Sequence, residues 1–425
     1  MLASYLKLLR KNRNFRLLWL AQVVSETGDW FYSLAVYNLL LELTHNRAQS
    51  VGLAVVLQVL PHTFAAPTAG VINDRLSRKA IMIGADVARF VIVLGMLVVR
   101  TPGLVWLVYP LLLLETLGAA FFEPAHSASI PNIVPEDEVQ TANALSSVTW
   151  SFCLAAGSSL GGVTAVLLGR DAVFLLNAAS FLASAWLIRR MQFEEPHTEG
   201  LPALRARDLV DFTPVLEGIR YIRSDTHRFA TLFVKGGIGL LGANNVLLPL
   251  LGAQLLPDIP GLDHSRSTML GMSLLMGARG VGAFVGPFTS GWWAGNSHTR
   301  MRYGIFIGFL FAAAGYVLLG NSASLSVAVL ATVLAHGGAS TNWVFSSTLL
   351  QVYTADRFRG RVFAAEYGLC MLAISASSYA AGVAIDLGIP ARRLAMIVGG
   401  VMLLPAIAWA MALSATRQST AVRNS

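Results

Sequence analysis

Four ionisable residues sit in apolar runs, where a charge is costly. Glu26 and Asp29 lie three apart in the run 17–41, Glu115 in 103–127 and Arg279 in 269–293. A charge in such surroundings is kept where it is used or paired. Loss of water favours the neutral form of a carboxyl group, so an acid placed here can carry a proton. At this spacing Glu26 and Asp29 share one helix face. The four are candidates for proton coupling or substrate contact, with Arg279 able to neutralise one of the carboxylates. Two structural roles stay open: a permanent ion pair tying the first and eighth runs, or Asp29 capping a local break after Gly28.

A second set of charges lies near the start of the third run, 80–99. Asp86 and Arg89 are spaced to pair on one face, which suits a structural or gating contact better than substrate binding. Before them runs the connection Gly70, Val71, Ile72, Asn73, Asp74, Arg75, Leu76, Ser77, Arg78, Lys79. Gly70 lets two helices approach closely. Asp74 can pair with an arginine or with backbone groups at a helix end, and Arg75, Arg78 and Lys79 hold the loop on the cytoplasmic side. Arg359, Gly360 and Arg361 make a second basic helix start. They face two readings, pairing with Glu136, Asp137 and Glu138 or serving topology alone. Gly157, Gly161 and Gly162 in the run 143–168 admit close helix packing. Lys235 is expected to snorkel, and His62 and His336 to be satisfied polar contacts. Trp30, Phe31, Trp343 and Phe345 either stack on an apolar ligand or pack. The sequence shows no P-loop, metal-ligand spacing or nucleophile elbow, which points away from an enzyme and leaves an ion gradient as the energy source.

These residues need elements that can hold them in an apolar medium. The 425 residues are 55% hydrophobic and 13% charged, against roughly 25% charged in soluble proteins. Crossing a bilayer takes about 20 apolar residues. Twelve spans are predicted, at 17–41, 51–73, 80–99, 103–127, 143–168, 172–188, 229–254, 269–293, 301–320, 324–350, 361–386 and 393–414. Short connections such as 100–102 and 170–171 force antiparallel hairpins. The one long polar connection falls at the midpoint, with a short amphipathic helix expected at 212–223. A weak repeat at an offset of about 220 pairs Gly70 with Gly291, Gly161 and Gly162 with Ala381 and Gly382, and 131–143 with 351–363.

The expected fold is therefore an all-α polytopic membrane protein. A six-helix bundle over 1–190 is joined by a cytoplasmic linker, 191–228, to a second six-helix bundle over 229–425. The run 17–41 is too long for a signal-peptide core and reads as a retained first helix. About 22 of the 31 Lys and Arg fall on the side of the N-terminus and about 6 on the other, which places both termini in the cytoplasm. Arg392 and Arg393 go against this rule. The net charge of +8 is thus a topology signal and a contact for anionic lipid, not a nucleic-acid footprint. Cys153 and Cys370 lie in apolar runs and imply no disulfide framework.

The Gly70–Lys79 string resembles the signature loop of the major facilitator superfamily. Gly157 to Gly162, with Ser158 in the place of proline, is similar to the Gly-Pro-x-x-Gly-Gly pattern of its antiporters. Gly28-Asp29-Trp30, Phe122 to Ala125, Ile130 to Pro135, Ala142 to Leu145 and Arg359 to Phe363 look like the enterobactin-exporter and macrolide-efflux branch. The resemblance covers nearly the whole chain. It implies two related halves, with Glu26, Asp29 and Glu115 on cavity-lining helices and the glycines of the fifth span sealing one end against proton leak. It also implies a gate on the cytoplasmic side at Gly70 to Lys79.

The expected function is proton-driven export, by alternating access, of a small amphipathic compound such as a drug, siderophore or secondary metabolite. The expected place is the cytoplasmic membrane. The expected partners are substrate, protons and membrane lipid, with no nucleic acid and no cofactor beyond the proton gradient; a monomer suffices, and the oligomeric state is open. Two rivals remain. One is an importer or a lysophospholipid-type flippase of the same fold. The other is a non-transporting receptor or scaffold, against which a C-terminal tail of only about 11 residues speaks.

Overall fold

Short polar side chains start several of the helices. Asn12 accepts from the Phe15 N–H at 2.9 Å, Ser77 from the Ala80 N–H at 3.1 Å and Asp225 from the Arg228 N–H at 2.9 Å. Each satisfies one of the N–H groups that a helix leaves unpaired in its first turn. The computed structural model describes residues 2–195, 220–223, 225–256, 259–295, 297–355 and 358–423. The side chains of Asp74 and Arg359 and the surroundings of Gly360 lie outside what is described, as does the chain from 196 to 219 with most of the expected amphipathic segment.

In chain order the helices are α1 (Leu2–Lys11), α2 (Arg13–Leu43), α3 (Ala48–Arg75), α4 (Arg78–Gly95), α5 (Val108–Ile133), α6 (Val139–Leu168) and α7 (Arg170–Arg189). Then come α8 (Thr226–Gly239), α9 (Asn244–Leu255), α10 (His264–Ala294), α11 (His298–Gly320), α12 (Leu325–Tyr353), α13 (Arg359–Asp386), α14 (Ala391–Val401) and α15 (Leu403–Arg423). Among the described residues there is no strand. Every predicted span coincides with a helix or with two helices in line. Among the described residues, ten of these segments are long and apolar enough to cross a membrane. The two others, α2 and α12, are 31 and 29 residues long and carry more polar residues along their length.

Two features were not expected. The first is α1, which buries Leu8 against Phe15, Leu18, Met82 and Ile130, so the basic N-terminal segment is packed as well as charged. The second is a 3-10 turn, Leu240–Ala243, inside the seventh span. Glycines 236, 237, 239 and 242 weaken the helix there. Carbonyls at this break are met by α13: Ser377 Oγ donates to Gly239 O at 2.8 Å and Ser378 Oγ to Gly242 O at 2.7 Å. Inside a membrane such freed backbone groups must find protein partners.

The chain divides into two compact units. One comprises Met1–Asn46, Leu57–Asp211 and Asp258–Ser273; the other comprises Arg47–Val56, Phe212–Pro257 and Leu274–Ser425. In the first, Arg266 Nη1 donates to Val166 O at 3.1 Å and Ser265 Oγ to Asn38 Oδ1 at 2.9 Å. In the second, Val234, Ile305, Phe309, Phe345 and Trp409 form an apolar core.

Candidate functional site

Small residues bring α2 against its neighbours and so set where its acids stand. A Cβ on Gly28 would collide with Asn177 Oδ1 and Ser180 Oγ of α7. From α6, a Cβ on Gly157 would stand 3.0 Å from Thr27 O, and one on Gly161 3.0 Å from Phe31 Cα. Gly162 gives the same close seat to Ser273 of α10. All three glycines of the fifth span therefore act here in helix packing. Two of them hold the stretch of α2 that carries Asp29.

Asp29 meets Arg89 of α4. Arg89 Nη2 lies 2.8 Å from Asp29 Oδ2 and 2.7 Å from Glu115 Oε1 of α5, and Arg89 Nε donates to the same Glu115 oxygen at 2.9 Å. Asp86, the neighbour one turn earlier on α4, stands 3.8 Å from Nη1, too far for a hydrogen bond. The guanidinium also lies over the Phe181 ring of α7, 4.0 Å from its centroid, a cation–π contact strengthened by the dry surroundings. Gly118, three residues beyond Glu115, leaves room for the arginine stem: a Cβ there would lie 2.8 Å from Arg89 Cγ. The side chains of Arg89, Glu115 and Asp86 are 4%, 9% and 0% exposed, that of Asp29 34%. Asp29 is thus the accessible member of a buried ionic cluster.

The structure regroups the residues singled out in the sequence. Asp29 and Glu115, read as coupling candidates, join Asp86 and Arg89, read as a gating pair. Glu26 is separate: its Oε1 accepts from Gln22 Nε2 at 2.9 Å, and Gln22 also donates to Ser146 O at 3.2 Å. Arg279 Nη1 donates to Asn245 Oδ1 of α9 at 2.8 Å, and the cation shared by the carboxylates is Arg89. Around the Gly70 loop, Arg78 Nη1 donates to Ala128 O at 2.7 Å, Lys79 Nζ to Met191 O at 2.7 Å, and the Lys79 N–H to Glu195 Oε1 at 3.3 Å. Arg75 ends α3, and a Cβ on Gly70 would meet nothing within 4 Å. Arg361 places its guanidinium 5.6 Å from the centroid of the Phe358 ring.

Lys235 does not snorkel. Its Nζ lies 3.0 Å from Glu366 Oε2 of α13, and the two side chains are 5% and 0% exposed. The ammonium also stands 4.2 Å from the centroid of the Trp343 ring of α12. Glu366 escaped the sequence reading. The available sign was a carboxylate six residues into the apolar run 361–386, with a lone lysine in the run 229–254.

Comparison with known proteins agrees with this architecture. The nucleoside transporter NupG, in its crystal structure, superposes with a TM-score of 0.73 at 10% identity, covering 94% of this chain and 98% of that one; this shows the fold. Among relatives in sequence, YfiS of Bacillus subtilis, an uncharacterized MFS-type transporter, is 28% identical over 181 residues, and the match spans 43% of its length. The proposed bacilysin exporter BacE of the same species is 24% identical over 365 residues, 84% of this chain and 86% of BacE. Macrolide efflux protein A of Streptococcus pyogenes is 34% identical over 129 residues, 29% of this chain and 31% of that protein. A family model described as transmembrane secretion effector matches residues 4–423, and the chain belongs to that family of multi-pass major facilitator transporters.

Proposed function

We propose that the protein exports a small amphipathic compound from the cytoplasm in exchange for protons. The carrying observation is the cluster in which Arg89 is shared by Asp29 and Glu115, with Asp29 partly accessible. A proton arriving on Asp29 releases its hold on Arg89, and a substrate group competes for the same site. Two six-helix halves, 1–190 and 229–425, rock about it across the linker 191–228, with both termini in the cytoplasm and lipid around the apolar faces. The exporters among its relatives support the direction, and their named cargoes suggest bacilysin and a macrolide as first probes. In proteoliposomes with an imposed pH gradient, either probe should move against counter-flowing protons, read by a lumenal pH dye. Asp29→Asn should uncouple the two. Transport at the same rate without a gradient overturns the reading.

A further inference from the structure

At the end of α3 away from Gly70, a contact stands that the ionic cluster does not involve. The first turn of α3 leaves its N–H groups without intrahelical partners. The Asp386 carboxylate, at the C-terminal end of α13, takes two of them: Ala48 N–H donates to Oδ1 at 2.8 Å and Gln49 N–H to Oδ2 at 2.9 Å. Gln49 Nε2 adds a bond to Tyr379 Oη at 2.6 Å. The backbones meet closely, with one glycine from each helix. A Cβ on Gly382 would stand 2.7 Å from Ala48 O, and one on Gly52 2.9 Å from Ser378 O. A carboxylate at a helix N-terminus is favoured by the helix dipole and by charge-assisted hydrogen bonds. Here the helix belongs to the first half of the sequence and the carboxylate to the second.

Asp386 also closes the string Gly382-x-x-x-Asp386, which has the spacing of Gly70-x-x-x-Asp74 at the other end of α3. The two glycines are in opposite conditions. Gly382 and Gly52 abut backbone, whereas a Cβ on Gly70, or on Gly291 of α10, would meet nothing within 4 Å. At ~1.5 Å per residue the two ends of α3 are ~40 Å apart. Gly382 is seated against the backbone at one end of this helix while Gly70 at the other has open space beside its Cα, which is what an element with two discrete arrangements looks like in one of them.

We infer that Gly382 and Asp386 form a latch that seats α13 on the first turn of α3, and that its release is a step of the transport cycle. The latch is the opposite-end counterpart of the Gly70–Asp74 loop. The inference rests on the transport reading for its purpose but not for its measurement. The test uses the full chain in nanodiscs, where both faces are accessible, with Cys153 and Cys370 replaced by serine and a reporter introduced as Val51→Cys. Val51 is fully buried beside the contact. Asp386→Asn, which removes the charge, and Gly382→Ala, which blocks the close approach at unchanged charge, should each raise the rate of maleimide labelling about five-fold or more. If one variant fails to fold, the other decides. Labelling at the parent rate in a folded variant overturns the latch, even in a protein that transports. Raised labelling in a protein that moves no cargo upholds the latch and counts against the transport reading instead.

Discussion

The Arg89 cluster and the Lys235–Glu366 pair are both buried charges between apolar helices, but their balance differs. Around Arg89, three carboxylates face one guanidinium, an excess of two negative charges when all are ionised. In the other place one ammonium faces one carboxylate. The excess makes a proton or a cationic group the missing partner of the cluster, so binding and losing one is natural chemistry there. The balanced pair has nothing to gain from a proton, since protonating Glu366 would strand Lys235. Exposure agrees: Asp29 is 34% exposed, while the pair is 5% and 0% exposed. The first arrangement suits exchange. The second suits a fixed tie between α8 and α13.

The sharpest way to break this contrast is Arg89→Leu. It leaves three carboxylates, two of them buried, with no cation, and coupled transport should fall by roughly two orders of magnitude or more. The denaturation midpoint should fall as well, because removing one partner of a buried pair costs about 3–5 kcal/mol. Near-normal export by this variant would remove the cluster from the mechanism. Next is the pH profile. Export by the parent protein should slow as the pH on the proton-supplying side is raised from 5 to 8. Asp29→Asn cannot take up the proton there, so its rate should be low and nearly flat over that range. A parallel slope in both proteins would detach Asp29 from coupling. The pair gives the third test. Lys235→Ala alone should destabilise by about 3–5 kcal/mol, whereas Lys235→Met with Glu366→Leu should recover that stability or exceed it. The double variant should keep the parent's pH profile; a shifted profile would make the pair part of the exchange and end the contrast.

How much of this was legible in the sequence depends on what each residue's neighbour is. Hydropathy registers the medium around a segment, and the medium acts on every residue of a span, so the spans and their order followed from apolar runs alone. The break at 240–243 did not, because apolarity is continuous across it; the cluster of glycines was the only local sign. Glu26 and Asp29 share a helix face by spacing, but a face does not choose partners. Asp29 turns to Arg89, 60 residues on, and Glu26 to Gln22 in the preceding turn. Arg89 looked local because Asp86 is three residues away. That contact is 3.8 Å, while the ones to Asp29 and Glu115 are 2.8 and 2.7 Å. Glu366 pairs across 131 residues, a separation that no local spacing encodes.

The smallest expected effect separates charge count from position. Gly118→Ala leaves every ionisable group in place and adds one methyl group 2.8 Å from Arg89 Cγ and 3.2 Å from its Cδ. The arginine stem is flexible, so it can give way by rotating, but its guanidinium then moves relative to two carboxylates held at 2.7–2.9 Å. Overpacking of this kind costs about 1–3 kcal/mol, with the low end expected where a flexible side chain yields. Export should drop by a few-fold, roughly the effect of losing about 1 kcal/mol of positioning. The slope of rate against pH should stay as in the parent, since the excess of carboxylates is untouched. If Gly118→Ala instead flattens the profile as fully as Asp29→Asn, then the exact seat of Arg89, rather than the surplus of negative charge, is what couples the cluster to protons.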